Sequence, residues 1–183
     1  MERNTADLGL AGANEQEQYL VFMLGRELFA MNIQAIKEIN EVGRLTRVPR
    51  MPDVIRGVVN LRGAVVPVVD LGARFDKPRA QITRRSCIIV IQAGGDEEDV
   101  QDIGVMVDGV NAVLEIPAAE IKPPPAFGGR IRTDFISGVG RVNDEFVIIL
   151  NVDCVLAMEE LATLAGVSSG EKLEDRSAHV MAA

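Results

Sequence analysis

The chain has 183 residues and a formal charge of −8, with 19 Lys and Arg against 27 Asp and Glu. That length suits one domain or two small ones, and the acidic balance argues against sequence-independent nucleic-acid binding. Aromatics are only 4%, Trp is absent, and one His, His179, lies in a polar tail; Ser-His-Asp triads, His acid–base chemistry and His/Cys zinc sites are thereby nearly excluded.

Residues 1–17 are polar and aperiodic, and read as a disordered start. The body of the chain is built from 23 Val and 15 Ile, β-branched residues that favour sheet. Tyr19 to Leu24, a Gly25-Arg26 turn and Leu28 to Met31 form a first hairpin. Ile33, Ile36 and Ile39, with Lys37 and Glu38 between them, predict a short helical turn passing into a strand. Val58 to Leu61, Arg62-Gly63 and Ala64 to Val69 form a second hairpin, in which Pro67 predicts a bulge or an edge position. One helical turn follows over Leu71 to Phe75. Cys87 to Ile91 and Ile103 to Val107 then pair, and Val110, Val113 and Ile116 repeat the spacing of the Ile33 region. Phe135 to Val142 and Phe146 to Leu150 make a last hairpin, and Val152 to Leu164 predicts an amphipathic C-terminal helix. Residues 164–183 read as a mostly disordered tail. No apolar run reaches the length of a membrane helix and no signal peptide opens the chain, which predicts a cytoplasmic protein with two reduced cysteines, Cys87 and Cys154.

The order of elements recurs. One constant shift maps Ile55 onto Ile136, Gly57 onto Gly138, Val58 onto Val139 and Asp70 onto Asn151. A slightly smaller shift maps Ile33, Ile36 and Ile39 onto Val107, Val110 and Val113, and a smaller one still maps Tyr19 onto Cys87. The growing shift means two insertions in the second copy, an acidic one near 94–102 and a Pro-rich one near 117–134. Two related β modules, about 18–80 and 84–160, follow. Five short strands per copy are too few for a sandwich, and closure into a small barrel removes the exposed edges.

Where the copies differ, function is the candidate. Glu38 faces Ala112 across the repeat, and Arg62 faces Asn143. Between Lys37 and Arg85 there are 11 basic residues against 5 acidic ones; the molecule has two unlike ends, suited to docking on two different surfaces. The acidic run Asp96 to Asp99 lacks the ligand spacing and internal Gly of a calcium loop, and no phosphate-binding glycine motif occurs. No catalytic, metal-binding or cofactor-binding residue is assigned.

The segments LVFMLGRELFAMNIQAIKEI, VIRGVVNLRGAVVPVVDL, IGVMVDGVNAVLEI, IKPPPAF and FISGVGRVNDEFVIILNVD together resemble the CheW family of chemotaxis coupling proteins. The resemblance covers about residues 18–160, nearly all of the chain between its tails, and places a CheW-like domain at 18–163. It implies an all-β fold: two five-stranded SH3-like barrels sharing a hydrophobic core, a few short helices and a C-terminal helix. It implies a non-enzymatic adaptor without cofactor. Its partners would be the regulatory domain of the histidine kinase CheA and the helical tips of methyl-accepting receptors. The free protein would be a monomer, with ring formation in arrays left open. The family's contact positions fall on Glu38, Gly57, Arg62, Gly104, Val110 and Val113, and the apolar Ile36 and Ile39 lie beside them. The long acidic loop and the C-terminal tail depart from the family pattern. A small-molecule sensor with a pocket between the barrels is the rival reading, and an enzyme a distant third.

Overall fold

The computed structural model describes residues 16–78, 81–93, 100–124 and 131–157. The tails expected at 1–17 and 164–183 therefore fall outside it, except that the first strand already begins at Gln16. In chain order the strands are β1 (Gln16–Leu24), β2 (Glu27–Asn32), β3 (Ile36–Glu41), β4 (Ile55–Leu61), β5 (Ala64–Asp70), β6 (Cys87–Ala93), β7 (Gln101–Val107), β8 (Gly109–Pro117), β9 (Ile136–Val142) and β10 (Glu145–Leu150). Single helical turns, α1 (Leu71–Arg74) and α2 (Val152–Val155), follow β5 and β10. The helix expected to run to Leu164 thus forms one turn, ending where Leu156 leaves helical geometry; its continuation lies outside the described residues.

The strands form two five-stranded sheets, ordered β8-β1-β2-β10-β9 and β3-β6-β7-β5-β4. If β1 to β5 are matched with β6 to β10, the first order turns into the second. The repeat is therefore real, but each sheet takes strands from both halves, so the spans 18–80 and 84–160 are repeat units and not spatial barrels. The hairpin β1–β2 is completed by β8, β9 and β10, and β6–β7 by β3, β4 and β5. The exchange is made through short parallel ladders, Leu28–Ala30 against Val147–Ile149 and Val68–Asp70 against Gly104–Met106. Each sheet then curls on itself. Thr46 bridges onto Val58, and its counterpart Lys122 onto Val139, laying a connecting segment along the outer edge of β4 and of β9 and covering it.

Burial explains the unusual strand sequences. In β1, Tyr19 and Val21 fill the inside of the first barrel, while Leu20, Phe22 and Leu24 face the core between the barrels. In β6, Ile88 and Val90 point into the second barrel, while Ile89 and Ile91 join the shared core. A strand buried on both faces reads as a continuous apolar run, without alternation. Four of the six Phe residues line up through the shared core, with ring centroids 6.1 Å apart for Phe22–Phe29, 5.6 Å for Phe29–Phe75 and 5.9 Å for Phe75–Phe135. The two helical turns use the same device at equivalent positions: Asp70 accepts a hydrogen bond from the Ala73 N–H, and Asn151 from that of Cys154.

The β4–β5 hairpin carries a bulge, between Ile55 and Gly57 opposite Val69 and Val68, as one of the two alternatives for Pro67 predicts. Pro67 itself lies inside β5, which is not an edge strand. It is tolerated because Val58 opposite it exchanges both its backbone bonds with Thr46, and because the ladder to β7 starts only at Val68. As predicted, a short helical turn, the 3-10 turn Ile33–Ala35, passes into the strand that carries Glu38. Its three-residue apolar spacing arises from a bulge between Ile36 and Glu38, not from a helical face. The same holds for β8, whose ladder to β1 shifts between Val110 and Ala112.

Candidate functional site

Glu38 and Arg62 come together. Glu38 sits on β3, an end strand of the second sheet, and Arg62 at the tip of the β4–β5 hairpin, with Arg62 φ at 54° and Gly63 φ at 87°. Two successive positive φ values make the reversed turn that matches strand twist, and they aim the Arg62 side chain back across the barrel rim. Its Nη2 lies 3.1 Å from Glu38 Oε2, with the guanidinium side chain 81% exposed and the carboxylate side chain 20% exposed. Asn40 Nδ2 donates to the other oxygen, Oε1, at 2.8 Å. Glu38 is thus held by two groups while Arg62 keeps most of its surface exposed. At the equivalent tip Asn143 and Asp144 both have positive φ, so the turn geometry is shared and only the charge differs.

The apolar candidates form two symmetric pairs on β3 and β8. Ile36 and Val110 are half-buried and pack against the shared core. Ile39 and Val113 are 43% and 45% exposed. Val110, at the start of β8, reaches the other sheet at Cys87. There burial pushes the Cys87 thiol above its ordinary pKa, the Glu41 carboxylate adds to the rise, and a backbone bond from Val110 opposes it. Ile39 and Val113 are thus exposed apolar side chains on β3 and β8, the end strands of the two sheets, and the Glu38–Arg62 pair lies at the rim of the second.

The two glycines take a different place. Gly57 and Gly104 are buried, so neither presents surface. Gly57 has φ of 152°, and a Cβ there would meet the Thr46 carbonyl oxygen at 2.3 Å; it allows the closing segment to lie on β4. A Cβ on Gly104 would stand 2.7 Å from Ile88 Cγ2 inside the second barrel. These positions shape the barrel that carries Glu38 and Arg62.

One pair went unnoticed in the sequence. Arg56 Nη1 lies 2.8 Å from Asp70 Oδ2, with the Asp70 side chain fully buried. The same shift that maps Asp70 onto Asn151 maps Arg56 onto Ser137, so neutral residues hold the equivalent positions in the other half, where Ser137 is exposed. Comparing Arg56 with its counterpart was the available signal.

The sensor reading needs a polar cavity at the junction of the barrels. The junction holds a void of about 10 Å³ lined by apolar side chains, among them Met31, Leu71, Ile91 and Val155, which is too small and too dry for a polar ligand. A larger groove, about 1340 Å³, lies on the outer side of the β9–β10 hairpin and is lined by Ile131, Ile136, Phe146 and Ile148. Among the described residues no helix is long and apolar enough to cross a membrane.

Known proteins match this arrangement. The model of the CheW-like domain matches residues 18–160. The chemotaxis protein CheW of Klebsiella aerogenes is 32% identical over 159 residues, covering 87% of this chain and 93% of its own. Protein FrzA of Myxococcus xanthus is 32% identical over 148 residues, covering 80% and 89%. The crystal structure of the scaffolding protein TtCheW from Thermoanaerobacter tengcongensis superposes with a TM-score of 0.69 at 31% identity, covering 76% of this chain and 87% of that one. The chain therefore belongs to the CheW-like family, whose members are chemotaxis scaffolding proteins and not enzymes.

Proposed function

We propose that this chain couples methyl-accepting chemoreceptors to the histidine kinase CheA, holding the two in a geometry that sets kinase activity. The observation that carries the reading is the Glu38–Arg62 pair at an exposed rim beside Ile39. A folded domain gains little from so exposed an ion pair, whereas a docking face uses such a pair for register and partner choice. The strip of Ile36, Ile39, Val110 and Val113 accepts the apolar face of a receptor helix. Gly57 and Gly104 support that strip from within. The chain acts in the cytoplasm and reaches the inner face of the membrane through its receptors. As a monomer with no chemistry of its own, it transmits a shift in the relative placement of its partners, a population effect with a coupling free energy.

Binding of cognate receptor and kinase regulatory fragments to wild type and Arg62→Glu tests this. The substitution is expected to weaken one partner by about 1–3 kcal/mol, the range for a hot-spot side chain, with the unfolding midpoint little changed. Unchanged capture of both fragments would remove Arg62 from the docking face, and no capture by wild type would end the coupling reading.

A further inference from the structure

We infer that Arg44, Arg84 and Arg85 form a second, cationic rim beside the start of β8, built to grip a carboxylate-rich segment of a protein partner. The inference rests on the coupling reading above and adds the chemistry of the partner's surface.

Three observations converge. The first is topological. Glu41, at the end of β3, lies opposite Cys87, at the start of β6. Arg44 follows the former by three residues and Arg84-Arg85 immediately precede Ser86 and Cys87, so all three leave the same end of that strand pair. Gly109, next to Val110, has Arg85 Cβ within ordinary contact of where its own Cβ would stand, at 3.7 Å. Arg85 therefore borders the start of β8, beside Val110.

The second is rigidity. Arg84 and Arg85 ride on a turn closed by three hydrogen bonds. The Ser86 N–H donates to the Thr83 carbonyl oxygen at 3.2 Å, the Thr83 N–H to Ser86 Oγ at 2.9 Å, and the Arg85 N–H to Thr83 Oγ1 at 3.2 Å. Ser86 is itself buried. Arg44 is held on either side, by Leu45 and Val42 packing on the second barrel's interior cluster and by the Thr46–Val58 bridge. Backbone set in place beforehand lowers the ordering cost of binding.

The third is charge. All three arginines are exposed, and none makes an ion pair among the described residues, whereas Arg62, Arg132 and Arg141 each do. Two carboxylates share this end of the molecule. Asp108 accepts from the Gly25 N–H and Glu41 is exposed, so two carboxylates face three guanidinium groups there. In a chain of net charge −8, three exposed guanidinium groups leaving one end of a strand pair give that end a charge of opposite sign to the whole, which favours encounter with a carboxylate-bearing surface. The guanidinium fork matches a carboxylate through two parallel bonds. Ile82, 48% exposed on the same connection, and Ile39 on the strip supply apolar contacts between the charges. A segment mixing Asp or Glu with apolar residues fits this face. A nucleic acid does not, because the remainder of the chain repels a polyanion.

The test is titration of wild type and the R44E/R84E/R85E variant with the cognate receptor-tip fragment and the kinase regulatory fragment, each at low and high salt. For one of the two partners the variant is expected to bind about ten-fold more weakly or worse, and to lose most of the salt dependence seen with wild type. R84Q/R85Q, which removes charge without reversing it, is expected to fall between, and covers the case in which the triple reversal does not fold. Wild-type affinity and salt dependence in both variants, for both partners, would overturn the inference while leaving the coupling reading in place. Binding of wild type to neither fragment would end both. Capture of heparin at physiological salt by wild type and not by the variants, with protein binding unchanged, would overturn it in favour of a polyanion site.

Discussion

Arg62 and Glu38 meet at the surface, and their surroundings separate two roles for them. A pair with one partner 81% exposed contributes roughly 0.2–1 kcal/mol to folding. The charge-swapped double variant E38R/R62E is therefore expected to recover the stability lost by R62E alone, and to recover none of its partner binding; urea unfolding and fragment titration together check both halves. Arg56 and Asp70 are the opposite case. Asp70 is buried, with Arg56 and the Ala73 N–H as partners. Removing one member of a buried pair leaves an uncompensated charge, at a cost of about 3–5 kcal/mol. The other half carries neutral residues, Ser137 and Asn151, at the two positions. R56S is expected to cost that much on its own, and R56S/D70N considerably less, by urea unfolding. Strict additivity of R56S and D70N would mean that the pair is not coupled.

At the scale of elements, hairpins are where sequence and structure agree best. Gly25-Arg26, Arg62-Gly63 and Asn143-Asp144-Glu145 all mark observed tips, because a turn is decided by φ values that only a few residue types adopt cheaply. In the Ile33 and Val110 regions a one-residue bulge breaks the two-residue period into a three-residue spacing, and at Ile33 the turn passing into a strand is still legible. The pairing of hairpins could not be read at all. Because β1–β2 needs β8 to β10, and β6–β7 needs β3 to β5, neither half holds a complete sheet. Fragments 16–83 and 84–157 are expected to be unfolded separately and to regain sheet when mixed, followed by circular dichroism. A folded, cooperatively melting 16–83 fragment would contradict the exchange.

For the whole molecule the exchange has an energetic consequence. Both sheets contribute to one core, with Leu20, Phe22 and Phe29 from the first and Ile89, Ile91 and Val105 from the second. Neither barrel can open without exposing the other's apolar face. Calorimetry is expected to give one transition with equal calorimetric and van't Hoff enthalpies. Phe29→Ala, which breaks the aromatic row between Phe22 and Phe75, is expected to cost about 3–5 kcal/mol and to move that transition without splitting it. Two separate transitions would mean that the barrels are independent. The same architecture puts β3 to β5 of the basic stretch in one sheet with β6 and β7, whose connecting sequence carries the acidic run 96–99, so the charge contrast between the repeat units is not a contrast between barrels.

From the sequence alone came the β character, the turns, the internal repeat, and the two charged residues that break it. Each of these is a local property: a branched side chain, a permitted φ, an apolar run, a residue changed between copies. The tertiary structure alone decided that the halves exchange strands and that Gly57 and Gly104 are packing positions. It also decided that Glu38 touches Arg62, that Arg56 touches Asp70, and that Arg44 shares an end with Arg84 and Arg85. The physical reason is that ladder bonds are made by backbone groups alike at nearly every residue. An apolar run therefore records that a strand is buried on both faces, and says nothing of which strand lies beside it.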